Sequence, residues 1–204
     1  MMRKLRTLAL TIAAAAGVAA ASAQSASDIV DRVLAAYKTS GGVEATYTVK
    51  SPQGTTAGTI AMSGDKFRIL SDDMKSWYDG GTLWTYSTMT GEVNITSPDR
   101  GELLTISPLI ALSELKAASQ MSLKTQGGSF IVTFTPQDGG PVAGAAVTVA
   151  SSGYQVEKAV FTMSDGSSFT TTITGYATGK NFAVSTFVYD SSLVPAGTET
   201  VDLR

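Results

Sequence analysis

The 204-residue chain contains neither cysteine nor histidine. Those two absences remove the Ser-His-Asp triad, the cysteine nucleophile, every disulfide and the ligands on which protein zinc sites rely. Charge is scarce as well: Asp, Glu, Lys and Arg make up 16% of the chain against 43% for the hydrophobic residues. The surface must therefore draw on Ser, Thr and Gly. Ser-x-x-Lys occurs twice, at Ser63-Gly64-Asp65-Lys66 and Ser113-Glu114-Leu115-Lys116. Neither has a Lys-Thr-Gly or Ser-Asp-Asn companion, and such matches arise by chance in a serine-rich chain. Asp72-Asp73, adjacent and ahead of Met74, reads as a turn rather than as a catalytic carboxylate pair. No P-loop or Rossmann glycine pattern is present. Little is left for an enzyme, the remaining catalytic alternative being a hydrolase built on Ser113 and Lys116, and no cofactor is expected.

Long apolar runs are missing except at the start. Arg3, Lys4 and Arg6 precede an uncharged stretch at 8–20, and Ala21-Ser22-Ala23 fits a small-residue cleavage site. This is the pattern of a secretory signal peptide over 1–23, with Gln24 opening the mature chain. The run is short of the ~20 residues that a membrane span takes. Removing 23 of the 204 residues leaves 181, enough for one domain at 24–204. The 15 basic and 17 acidic residues become 12 against 17 once Arg3, Lys4 and Arg6 are gone, a net charge of −5. A nucleic-acid binder would show a basic face instead. A monomer in the periplasm is the expectation.

What the chain does have is strand rhythm. Ile29, Val30, Val33, Leu34 and Tyr37 recur at helical spacing over 26–38, with Ser27 or Asp28 as the cap and Gly41-Gly42 as the stop. Residues 43–50 then alternate Val43, Ala45, Tyr47 and Val49 with polar neighbours, which marks a strand with one buried face. Similar runs follow at 56–62, 66–70, 75–78, 83–88 and 92–96. Turns of two to five residues make these an antiparallel meander. The rhythm breaks over 98–118, where Ser107-Pro108 can open a short amphipathic helix bearing Leu109, Ile110, Leu112 and Leu115. Strands resume at 121–124, 130–135, 145–150, 155–163, 168–176 and 183–189.

Both tryptophans flank one turn, Trp77-Tyr78-Asp79-Gly80-Gly81-Thr82-Leu83-Trp84-Thr85-Tyr86. Asp79-Gly80-Gly81 is hairpin chemistry, because glycine reaches positive φ without a Cβ clash. The fold class is thus mainly β with some α: one large curved antiparallel sheet of about eleven or twelve strands, which must curl or close as twist accumulates. A helix at the start and one in the middle would cover its concave face. Beneath them lies either a packed core or a cavity lined by the same apolar residues.

Gly58-Thr59-Ile60, Phe67-Arg68, Asp79-Gly80 with Leu83-Trp84-Thr85-Tyr86, Phe187-Val188-Tyr189 and Val201-Asp202-Leu203-Arg204 occur in an order that resembles the LolA-like family of periplasmic outer-membrane lipoprotein carriers. The likeness spans the mature chain. It implies an unclosed half-barrel whose helical lid covers an apolar cavity for the acyl chains of lipoproteins. It also implies partners: acylated lipoproteins, an inner-membrane release complex and an outer-membrane receptor. On this reading the cavity is lined from the strands by Tyr47, Ile60, Met62, Phe67, Ile69, Trp77, Leu83, Trp84 and Tyr86, and from the lid by Leu109, Ile110 and Leu112. The family's arginine ahead of the Phe strand, which helps hold the lid, is replaced here by Met62-Ser63-Gly64, and Arg68 on the next strand is the candidate substitute. The alternative is an envelope-located lipid-binding or scaffold protein without carrier activity.

Overall fold

The computed structural model describes residues 24–137 and 139–204, so the signal peptide expected at 1–23 lies outside the described residues. The first helix, α1 (Ala26–Thr39), is capped by Ser25, ahead of the Ser27 or Asp28 that the sequence suggests. Ser25 accepts from the Asp28 backbone N–H at 3.1 Å while the Asp28 carboxylate accepts from Ser25 N–H at 3.0 Å. This reciprocal pair satisfies two N–H groups that a helix start leaves free. Ala26, Ile29, Val30, Val33 and Tyr37 form the buried stripe.

Twelve strands follow: β1 (Gly42–Ser51), β2 (Gly54–Ser63), β3 (Lys66–Ser71), β4 (Met74–Tyr78), β5 (Leu83–Ser87), β6 (Glu92–Thr96), β7 (Ser119–Gln126), β8 (Ser129–Pro136), β9 (Val142–Ala150), β10 (Val156–Met163), β11 (Ser168–Ala177) and β12 (Glu199–Asp202). They make one sheet in the order β12-β6-β5-β4-β3-β2-β1-β11-β10-β9-β8-β7. The edge strands β12 and β7 do not pair, so the curved sheet stays open as a half-barrel. Ten of the strand-to-strand joints are antiparallel, nine of them between sequence neighbours linked by short turns and the tenth between β1 and β11, but β12 runs parallel to β6. The sheet is therefore mixed rather than wholly antiparallel. The strand expected at 183–189 is also absent. Val184–Phe187 is a 3-10 turn within a segment that crosses the sheet before β12 joins its edge.

The break between β6 and β7 holds two helices where the sequence suggested one. Asp99 caps α2 (Arg100–Ile106) in a second reciprocal box with Glu102, and Ser107 then leads into α3 (Pro108–Ala118) with proline in its first turn. Ser107 has extended backbone angles, φ −86° and ψ 112°, which separates the two helices. Arg100 and Glu114 form an ion pair that ties α2 to α3, and Lys116 Nζ meets Asp31 Oδ1 of α1 at 2.5 Å.

All three helices pack on one face of the sheet, the inner face. Ile29, Val30 and Leu112 join Val132, Phe134 and Val149 in one cluster, and Leu103 joins Ala45, Ile60, Phe67, Ile69, Tyr78 and Leu83 in another. The outer face is covered by the C-terminal segment. There Trp77, Tyr86 and Val93 are buried beneath Tyr189, Leu193 and Val194.

Candidate functional site

Between the inner face and the helices lies an apolar cavity of about 430 Å³. Its floor comes from β1, β2 and β3 and from β9, β10 and β11; its roof comes from α1 and α3. Strand alternation explains the floor. Tyr47, Ile60, Met62 and Ile69 stand at inward positions of neighbouring strands, since Ala45 opposes Ile60 and Ile60 opposes Ile69 in register. Leu109 and Leu112 enter from the roof, and Leu112 is buried there. Six of the sequence-predicted residues are thus brought together.

The others lie elsewhere. Phe67, Leu83 and Ile110 face inward within the second core cluster, beside the cavity rather than in its lining. Trp77, Trp84 and Tyr86 stand on the outer face, and for them the expectation of a cavity position is corrected. The cause is strand phase. Ile69 opposes Ser76 and Phe67 opposes Tyr78, so Ser76 and Tyr78 point inward and Trp77, between them, points out toward Trp84 across the ladder. Side chains alternate with period two, so one step in phase exchanges faces. Arg68 is corrected for the same reason. It opposes Trp77 on the outer face, with the sheet between it and the lid, and there it adds a minor part to the lowered pKa of Asp190, which is set mainly by the side-chain and backbone hydrogen bonds from Ser192.

Several lining residues were not singled out from the sequence. Val147 on β9, Phe161 on β10 and Ile173 on β11 could have been found from alternation in those strands, although the threonine run at 170–172 blurs the phase of the last. Tyr154 had no such signal, and Tyr37 carried only that of a helical stripe. Tyr37 is the last member of the α1 stripe, and Tyr154 sits in the turn before β10 at φ 54°. Tyr154 is fixed there by stacking on Phe130, with centroids 6.2 Å apart, and by the Arg32 guanidinium, which donates to its hydroxyl at 2.9 Å. Gly58 serves the floor differently. A Cβ there would lie 2.6 Å from the Tyr47 hydroxyl and 2.7 Å from the Leu70 carbonyl oxygen, so only glycine lets the Tyr47 ring lie across the strand.

Among the described residues no charged side chain lines the cavity. Its polar side chains are the phenols of Tyr37, Tyr47, Tyr154 and Tyr176 and the Thr171 hydroxyl. Burial raises Tyr37 above the ordinary tyrosine value near 10, with Tyr176 and Asp65 adding to the effect, and burial is likewise the leading cause of the raised values of Tyr47 and Tyr176. All three stay neutral through ordinary pH. Lys116, engaged by Asp31, is unsuited to activating Ser113. The arrangement can hold an apolar guest.

The sequence model for outer membrane lipoprotein carrier protein LolA matches residues 16–167. The chain belongs to this LolA family. The match ends just before β11, so β11 and the C-terminal segment extend beyond it. No curated protein matches the chain by sequence. Among solved structures, an uncharacterized conserved protein from Thermus thermophilus is 12% identical, with 87% of this chain and 98% of that one aligned at a TM-score of 0.61. A LolA superfamily protein from Nitrosomonas europaea is 8% identical over 82% of this chain and 99% of that one, with a TM-score of 0.44. A chain of the MucA/MucB complex of Pseudomonas aeruginosa is 15% identical over 83% of this chain and 62% of that one, with a TM-score of 0.49. The Thermus thermophilus structure shares the overall architecture of this chain.

Proposed function

We propose that the protein is a periplasmic carrier that takes up the acyl chains of lipoproteins and ferries them toward the outer membrane. The observation that carries this reading is the uncharged cavity between the inner face of the sheet and the α3 roof, in a chain of the LolA family. Tyr47, Ile60, Met62 and Ile69 would contact the chains from below, with Leu109 and Leu112 above. A cleaved signal peptide at 1–23 would deliver the chain to the periplasm. Cargo would be received from an inner-membrane release complex and passed to an outer-membrane receptor.

Size and energetics require a roof that moves. A cavity of about 430 Å³ suits one small ligand, since drug-sized guests occupy roughly 300–1,000 Å³. Three chains of roughly sixteen carbons need more room. Burying them fully, at about 0.8 kcal/mol per CH₂, would yield on the order of 35 kcal/mol. That exceeds the practical affinity ceiling of about 18–21 kcal/mol, and such cargo would never leave. A carrier avoids this by enclosing the chains only in part and by displacing its own apolar roof residues, whose burial offsets part of the gain. Leu109 and Leu112, which line the roof, would be the residues displaced.

The test is release of an acylated lipoprotein from membranes into soluble complex by the purified mature protein. Leu112→Glu, which puts a charge into the roof, is expected to abolish release. Unchanged release by a stably folded Leu112→Glu protein would refute the carrier reading.

A further inference from the structure

A second space of about 320 Å³ adjoins the main cavity. Tyr37, Met62 and Leu109 line both, so they form the wall the two share. The smaller space is bounded by the β2–β3 turn, the β4–β5 turn and the start of α3. Its chemistry differs from that of the main cavity. Asp65, Lys66 and Arg100 stand around it, and Arg100 is already engaged, its Nε donating to Glu114 Oε1 at 2.7 Å.

One buried hydroxyl here lacks the partner that burial normally demands, and one helix cap beside it is unmade. Tyr37 is 7% exposed, and its hydroxyl has no hydrogen-bond partner among the described residues. Ser107, also 7% exposed, is the N-cap of α3 but makes no side-chain capping bond. The first-turn N–H groups of α3, including those of Leu109 and Ile110 beside this space, are thus left without the oxygen an N-cap serine usually supplies. Buried polar groups are nearly always paired, and those left over mark a strained or a ligand-facing position. What converges here is a set of donors without an acceptor.

The charges select among acceptors. Asp65 and Glu114 balance Lys66 and Arg100, so the surroundings are close to neutral and offer a phosphate no excess of positive charge. A carbonyl oxygen suits them better. We propose that this space is a polar subsite for the ester carbonyls of a glycerol-linked acyl lipid, with the Tyr37 and Ser107 hydroxyls donating to them while the chains run past Met62 and Leu109 into the main cavity. The assignment rests on the carrier reading and adds to it a reason for distinguishing an esterified lipid from a bare hydrocarbon chain. Burial keeps the Tyr37 phenol protonated and able to donate.

The experiment compares two probes on the mature protein: a 1,2-dipalmitoylglyceryl-cysteinyl peptide and its dihexadecyl ether analogue, which keeps the chains and lacks the carbonyls. Wild-type protein should bind the ester about tenfold more tightly than the ether, and a Tyr37→Phe/Ser107→Ala double variant should bind both alike. Equal affinity of wild-type protein for the two, or a preference that survives the double substitution, overturns the subsite. If neither probe binds, the carrier reading falls and the subsite with it. Tyr37→Phe alone deletes an unpartnered hydroxyl, keeps the fold, and should reduce the preference by about threefold. Repeating the comparison with dipalmitoyl phosphatidylglycerol and its diether identifies the source of the ester: a larger preference there assigns the subsite to free phospholipid, a smaller one to lipoprotein cargo.

Discussion

Tyr37 concentrates at one residue the tension between folding and binding. Its ring completes the buried stripe of α1 and walls the cavity, while its hydroxyl is buried without a partner among the described residues. Burial, aided by Tyr176 and Asp65, raises its pKa above the ordinary value near 10. The folded state therefore holds the phenol neutral at a pH where the unfolded chain would ionise it. Stability from this source is intact below about pH 10 and is lost as pH rises toward the folded-state value. Tyr37→Phe removes the ionisable group from both states. Its alkaline unfolding midpoint, followed by near-UV circular dichroism, should lie above that of the wild-type protein. A midpoint that does not move would show that Tyr37 is not held neutral by burial. The histidine-free composition helps, because no imidazole titrates between Tyr37 and the carboxylates.

At the scale of elements, the hairpin of β4 and β5 shows where reading from sequence reaches its limit. Its existence and turn were legible. Asp79 Oδ1 accepts from the N–H groups of Gly81 and Thr82 at 2.9 and 2.8 Å, and Gly80 takes φ +102°, as the Asp-Gly-Gly signal requires. Its phase was not legible, because Trp77 and Tyr78 are both buried and each face of this strand is covered. Alternation reports phase only when one face meets water. On β1, where Val43 and Ala45 are buried and the polar positions Thr46 and Lys50 are exposed, the reading succeeded. The outer cover was equally hidden: a chain that crosses a sheet as 3-10 turns and coil leaves no periodicity to read. Its packing nonetheless defines what Trp77 does. The indole lies edge-on to Tyr189, centroids 5.5 Å apart, and is fully buried. Trp77→Ala should therefore cost about 3–5 kcal/mol in denaturant unfolding, as for other large aromatic truncations. A loss below about 1 kcal/mol would mean that the C-terminal segment does not clamp the outer face.

For the whole molecule, the two covered faces differ in how firmly they are held, and the difference bears on loading. The roof is the weaker part. α1 buries five residues against the inner face, whereas Leu112 is the buried hydrophobic residue of α3. The Arg100–Glu114 pair is solvent-exposed, joins α2 to α3 and does not anchor either to the sheet; Lys116 to Asp31 is the ion pair linking α3 to α1. Exposed pairs contribute about 0–1 kcal/mol, so little beyond apolar contact retains the lid. At about 25 cal/mol per Å² of apolar surface, an element that buries fewer side chains opens at lower free energy, and local opening is what hydrogen exchange reports. Backbone amides of 100–118 should therefore exchange faster than those of 26–39 in the empty protein. Binding of a dipalmitoylglyceryl-cysteinyl peptide should change protection in 100–118 and leave 26–39 within about twofold, because α1 packs against β8 and need not move to admit a chain. Equal protection of the two segments in the empty protein would mean that the helices form one rigid roof. Loading would then have to proceed through the open edge of the sheet between β12 and β7, with α3 staying in place.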